Sequence, residues 1–286
     1  MSKAMRIVLG VVAGLLAVAA LCALFFLYLL PQVIRPAVRY REAVALSNAG
    51  KYEEAMAVFA ALDGYKDSAA KINEIKPKYH RQLLSAANVG STVFFGSYEQ
   101  DNDASNGKED IEWIVLAKDG NKVLVISKYA LDSKQYDTSK ADVTWETCSL
   151  RKWLNGPFLE AFHVEERNSI IDATVTADKN PSHGTSPGND VSDTVFLLSI
   201  AEVNQYFSSD EARQCAPTDH AKAQGVWKSS RYSTDGRAAC WWWLRSPGSL
   251  SDHAVLVRPH GSVEIDGRAV YNILGGVRSA MWIELG

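Results

Sequence analysis

Cysteine is scarce in this chain: four residues in 286. One of them, Cys22, lies inside an apolar N-terminal run, which leaves Cys148, Cys215 and Cys240. Three is an odd number, so at least one thiol stays unpaired in a monomer, and none has the C-x2-C spacing of a zinc site. The one G-x-S-x-G, Gly184-Thr185-Ser186-Pro187-Gly188, lies in a turn-rich loop over residues 178–190 and not on the strand-to-helix turn that exposes a serine nucleophile. An excess of basic charge is missing too. Of the 30 Lys and Arg, Lys3 and Arg6 precede the apolar run, leaving 28 against 33 Asp and Glu, with no basic patch and no long run of like charge. Nucleic acid is therefore not an expected partner.

What the chain does have begins at Ile7. The 24 residues from Ile7 to Leu30 carry no charge. At about 1.5 Å per residue the run is ~36 Å long, enough to cross a ~30 Å hydrocarbon layer with some tilt. A cleaved signal peptide would have a shorter apolar region and small residues at its end, where this chain places Phe25, Phe26 and Tyr28. A lipoprotein anchor at Cys22 would want a small residue before it, and Leu21 stands there. The expectation is an uncleaved transmembrane helix over residues 7–30 behind a short tail, 1–6. Lys3 and Arg6 on one side are nearly balanced by Arg35, Arg39 and Arg41 on the other. A short tail is easily retained in the cytoplasm, so the bulk of the chain is expected outside the cell membrane.

Residues 37–80 read as helix, with Ala43, Leu46, Ala55, Phe59 and Leu62 at helical spacing and a break at Asn48-Ala49-Gly50. The pattern from Tyr40 to Phe59 resembles one tetratricopeptide unit, an αα-hairpin. A third helix is expected from Asp67 to about Ile75, capped by Asp67 or Ser68 and limited by Pro77. One repeat is too small to build a peptide groove, so this segment reads as a helical stalk.

From about Val89 the pattern changes to strands. Val93–Tyr98 is one, and Ile111–Leu116 and Lys122–Ile126 form a hairpin around Lys118-Asp119-Gly120-Asn121. Short helices are expected at 149–154, after Pro157 through Ile171, and from the capping box Ser199-x-x-Glu202 to Phe207. A buried strand is expected at Val195–Leu198. Ala239-Cys240-Trp241-Trp242-Trp243-Leu244-Arg245 is expected as one aromatic strand ended by Ser246-Pro247-Gly248, a hairpin joins 254–257 to 262–265, and the last strand runs Val277–Ile283. Strands at both ends with helices between them predict an α+β domain over residues 90–286.

The sequences FGSYEQ, SLRKWLN, LLSIAEVNQYF, DEARQC, CWWWLRSPG and GVRSAMWI occur in that order. Together they resemble the domain-of-unknown-function family 6273, over about residues 90–285. The resemblance implies a C-type-lectin-like fold, distantly similar to formylglycine-generating enzymes and to the diversified binding proteins of retroelement systems. One position departs from the pattern: Ser279 stands where proline is expected. On the pattern, Ala254, Val257, Gly261, Val263, Gly267 and Val270 are framework. Between them lie Asp252, His253, Arg258, His260, Glu264, Asp266, Arg268, Tyr271 and Asn272, which read as a recognition surface on short loops.

Trp242 and Arg245 join that candidate ligand-binding set. Trp242 could be a stacking platform, although strand alternation sends at least one face of the Trp run into the core. Arg245 and Arg278 read either as loop braces or as anion contacts. His253 and His260 with Asp252, Glu264 and Asp266 match no strong zinc pattern and do not supply convergent calcium oxygens. No metal and no cofactor is expected. Trp113, Trp145, Trp153 and Trp282 are expected in the core, and Glu165-Glu166 on a solvated helix face. The expected function is membrane-anchored recognition of a protein or glycan, without chemistry. Two alternatives stand beside it: a formylglycine-generating-like oxidoreductase using Cys240, and a structural envelope protein assembling through its stalk.

Overall fold

The apolar run is helical in a computed structural model that describes residues 2–285. The helix Lys3–Leu24 has no buried residue, and it is capped by Ser2, whose hydroxyl accepts from the Met5 N–H at 3.4 Å. Phe25–Ile34 continues as a π-helix that contains Pro31. Proline has no N–H and collides with the carbonyl four residues back, which a wider turn avoids. The helical path runs on without interruption from Lys3 to Asn48 and is long and apolar enough to cross a membrane.

The described chain divides into two compact units, Met1–Tyr79 and His80–Gly286. In the first, helices Arg35–Asn48 and Tyr52–Ala60 fold back on each other about Gly50, whose φ of 73° suits a residue without a Cβ. Ala43, Ala55, Phe59 and Ile75 form a small core of their own. Asp67 accepts a 2.5 Å hydrogen bond from the Tyr40 hydroxyl. The third helix, Ser68–Ala86, passes through Pro77 instead of stopping before it. Pro77 forfeits one rung of the ladder, but beyond it His80 and Leu84 are buried, and that burial outweighs one lost hydrogen bond.

The second unit is α+β. One antiparallel sheet is ordered Thr92–Tyr98, Glu109–Asp119, Lys122–Ser127, Ala280–Glu284, Ile170–Ile171. Bulges between Phe94 and Ser97 and between Val115 and Ala117 bend its strands. A second sheet is ordered Val263–Ala269, His253–Val257, Trp242–Pro247, Gly276–Val277, Asp132–Ser133. Its Trp242–Gly276 pairing is parallel. Two ribbons complete the β-structure: Ala173–Val175 with Val191–Asp193, and Lys228–Thr234 with Arg237–Cys240. The last turns through Asp235 and Gly236, both at positive φ.

Several expectations are corrected. The stretch after Pro157 is not one helix. It is a 3-10 turn Pro157–Ala161, a four-residue helix Val164–Arg167, then a strand at Ile170–Ile171. Its apolar residues serve different neighbours, which helical spacing alone does not separate. Val195–Leu198 makes only an isolated bridge, Phe196 to Ala280. The segment Val277–Ile283 is split: Gly276–Val277 belongs to one sheet and Ala280–Glu284 to the other, and Arg278 and Ser279 cross between them. Glu166 is buried rather than solvated, at 5% exposure.

Candidate binding surface

The Trp strand supplies the domain's centre. Trp241, Trp242 and Trp243 are all buried, so both faces of the strand are core. The Trp242 indole N–H donates to the Arg213 carbonyl at 3.1 Å, and the Arg278 guanidinium lies over its ring at 4.9 Å. Trp242 therefore does not reach a ligand at the surface. Arg245 is corrected in the same way. Its Nη1 donates to the Leu197 carbonyl at 2.9 Å, its Nε to the Thr176 carbonyl at 3.3 Å, and its Nη2 to Glu202 Oε1 at 3.0 Å. Glu202 is also the residue that reaches back to the Ser199 N–H, so Arg245 braces the capping box of the helix Ile200–Tyr206. The crevice beside Arg245, between Trp145 and Pro247, is about 10 Å³, room for about one water.

The remaining candidates are exposed or half-buried, strung along the edge strand Val263–Ala269 and its flanking turns. Arg258 Nε lies 2.6 Å from Glu264 Oε2, and this hydrogen bond raises the arginine's pKa further. His260 Nε2 is 2.8 Å from the Ser262 hydroxyl, and its ring lies 5.1 Å from that of Tyr232. Asp252 Oδ1 is 2.7 Å from His253 Nδ1, and Asp266 Oδ1 is 2.8 Å from His183 Nε2. Each of these pairs is satisfied locally, and Glu264, Asp266 and Arg268 sit at alternate positions spread over ~13 Å of strand. They are separate contacts, not one chelating cluster.

Arg268, Tyr271 and Asn272 belong to a different arrangement. Arg268 is exposed and lies over the Trp241 ring at 5.2 Å. The loop that follows is fixed by its backbone. The Gln135 amide donates to the Tyr271 carbonyl at 2.7 Å, the Ser133 hydroxyl to the Ile273 carbonyl at 2.9 Å, and the Trp227 N–H to the Leu274 carbonyl at 3.2 Å. Asn272 Oδ1 closes the turn by accepting from the Leu274 N–H at 2.9 Å. Asn272 thus holds the loop's shape. While the backbone is held, the side chains face water: Tyr271 is 37%, Trp227 44% and Ile273 61% exposed. Lys140 Nζ stands 5.5 Å from the Tyr271 ring.

Trp227 and Ile273 were invisible as site residues in the sequence. Trp227 lies far from the 249–274 segment, and an isolated Ile in an apolar-rich stretch reads as core. Trp153 and Trp282 are only partly buried. Trp282 lines a cleft of about 260 Å³ with Asp119, Lys122, Asp172 and Thr174. Among the described residues, the carboxylates that approach one another are Glu99, Asp101 and Glu109, within 4.8 Å in the loop before Glu109–Asp119. Their oxygens accept from Asp103 N–H, Gln100 N–H and the Asn106 amide. The Asn106 hydrogen bond leads in lowering the pKa of Asp101.

Residues 120–285 match the family described as a domain of unknown function, DUF6273. No curated protein and no solved structure matches the chain.

Proposed function

The chain belongs to the DUF6273 family, and from that premise we propose that it is a membrane-tethered binding protein with a C-type-lectin-like domain. It recognises a protein or glycan through Tyr271, Ile273 and Trp227, with Arg268 beside them. One observation carries the reading: a loop whose backbone is fixed from two separate segments, Ser133 and Gln135 on one and Trp227 on the other, has large apolar side chains turned toward water around it. Large apolar groups held rigidly in solvent cost solubility and lose little entropy on binding, which is the signature of a recognition surface. The polar pairs along Val263–Ala269 would form its rim. The uncharged helix from Ile7 to Leu30 would hold the domain at the extracytoplasmic face of the cell membrane, and the tetratricopeptide-like hairpin would serve as its stalk.

The oxidoreductase alternative needs an accessible thiol at Cys240, and Cys240 has no exposed surface. The assembly alternative places the stalk in contact with other copies, a role that deleting residues 37–80 would abolish.

The test uses the full chain in lipid nanodiscs, probed on a glycan array and against cell-surface protein extracts. A variant carrying Trp227→Ala, Tyr271→Ala and Ile273→Ala is run beside it. The reading predicts a ligand bound by the parent and lost by the variant at unchanged melting temperature. Equal binding by both would move the site away from this loop.

A further inference from the structure

Cys215 and Cys240 are distant in the chain and opposite one another in the fold. They form an isolated antiparallel bridge, in which the Cys240 N–H donates to the Cys215 carbonyl at 2.8 Å. Residues facing each other in such a pair have Cα atoms about 4.5–5.5 Å apart and side chains on the same side. That lies within the ~4.4–6.8 Å span that a disulfide bridges. Both residues are buried, at 1% and 0% exposure. Cys148 is elsewhere: its sulfur accepts from the Arg151 N–H at 3.4 Å as the cap of the helix Ser149–Leu154. The odd number of thiols thus resolves into one pair and one single residue.

Arg278 lies beside the pair. It is 1% exposed, and its Nε and Nη1 donate to the carbonyls of Ser127 and Arg213 at 2.9 and 3.2 Å. Among the described residues it has no carboxylate ion pair, an uncommon state for a buried guanidinium. Burial opposes ionisation of Cys215, yet the hydrogen bond with Cys240 and the charge of Arg278 hold this thiol below the ordinary range. The same hydrogen bond, together with burial, pushes Cys240 well up. One sulfur is thereby the better nucleophile and its neighbour keeps the proton.

We propose that Cys215 and Cys240 are a dithiol that closes into a disulfide, with a low-molecular-weight disulfide such as oxidised glutathione as the oxidant. The Cys215 thiolate attacks one oxidant sulfur. The oxidant S–S bond breaks, one thiolate leaves, and a mixed disulfide remains. The Cys240 sulfur, losing its proton, then attacks the Cys215 sulfur, displaces the second thiolate and completes the Sγ–Sγ bond. Two electrons pass from the cysteines to the oxidant, and the two thiol protons end on the released thiols. Because both sulfurs are covered in the folded domain, exchange occurs while the chain folds or opens locally, and the finished bond is shielded from reductant.

The experiment uses the full chain in detergent, refolded from denaturant in a reduced and oxidised glutathione mixture, then alkylated, digested and mapped by mass spectrometry. The expected product is a Cys215–Cys240 linked peptide lacking two hydrogens, with Cys22 and Cys148 alkylated. The linked form should melt about 5–10 °C above the reduced form and resist reductant until denatured. In a second arm the folded chain is never denatured but incubated with oxidised glutathione in sub-denaturing urea and mapped in the same way. Four alkylated cysteines in both arms, or linkage chiefly to Cys148, overturns the proposal. A Cys148→Ser variant should keep the link and its melting shift, and loss of both there would overturn it as well.

Discussion

His80 Nδ1 lies 2.7 Å from Glu166 Oε1, with both side chains buried, and the same carboxylate accepts from the backbone N–H of Gly96 and of His163 at 3.0 Å each. Within the second unit, one side chain therefore ties the helical turn that begins at His80, the strand Thr92–Tyr98 and the start of the helix Val164–Arg167. Burial works against its ionisation, yet the hydrogen bonds from His80, Gly96 and His163 more than offset it, and the carboxyl sits below its ordinary value. A group depressed on folding contributes stability above its unfolded pKa and loses it as pH falls through the folded one. Glu166→Gln should cost about 2–3 kcal/mol at pH 7. In urea denaturation the gap between parent and variant should narrow as pH falls below about 4.5, the carboxyl's ordinary value. An undiminished gap at pH 3.5 would show that the charge is not what matters.

Arg245→Met should cost about 3–5 kcal/mol, because it strands the Glu202 carboxylate, the buried Leu197 carbonyl and the part-buried Thr176 carbonyl at once. Arg245→Lys should recover only part of this, since an ammonium cannot copy the forked contact. Equilibrium denaturation of both variants separates a brace from a ligand contact. A brace lowers the midpoint in both, whereas a ligand contact leaves it alone.

Gly261 turns the chain at φ 95°, and a Cβ there would lie 1.6 Å from the Asp210 carbonyl oxygen. Backbone on that side leaves no room, so Gly261→Ala must push apart the hairpin end and the helix Asp210–Arg213. A loss of about 3 kcal/mol or more is expected. A thermal melt within a degree of the parent would contradict that close approach.

Ser279 carries the one buried side-chain polar atom without a hydrogen-bond partner among the described residues. Removing an unsatisfied buried hydroxyl relieves its desolvation. Ser279→Ala should be neutral or stabilising by up to about 1 kcal/mol, which a paired urea titration would resolve.

Much of the architecture was legible in the sequence. Uncharged length marked the N-terminal helix, alternation and turn residues marked the strands around Asp119-Gly120, and the capping box at Ser199 formed as written. What escaped reading depends on partners remote in sequence. Pro77 was a plausible stop only until the burial of His80 and Leu84 was known. The apolar stretch Val277–Ile283 gave no sign of passing from one sheet to the other, because both halves are equally hydrophobic. At the candidate site, the family pattern set Arg258, Asp266 and Arg268 between framework positions, and all three are exposed. It could not tell that Arg245, of the same type, is itself buried and paired with the half-buried carboxylate of Glu202. Nor could it bring Trp227 beside Leu274, a proximity made only by folding.

The crossing at Arg278-Ser279 also sets an order of events. Gly276–Val277 must seat between Trp242–Pro247 and Asp132–Ser133, and Ala280–Glu284 must insert between Lys122–Ser127 and Ile170–Ile171. Neither sheet is complete without a segment made after all its other strands. Completing either insertion closes a loop of more than a hundred residues, from Asp132 to Val277 in one sheet and from Ile171 to Trp282 in the other. During synthesis both sheets therefore stay open at these gaps, with unpaired strand edges exposed, until the last strand arrives.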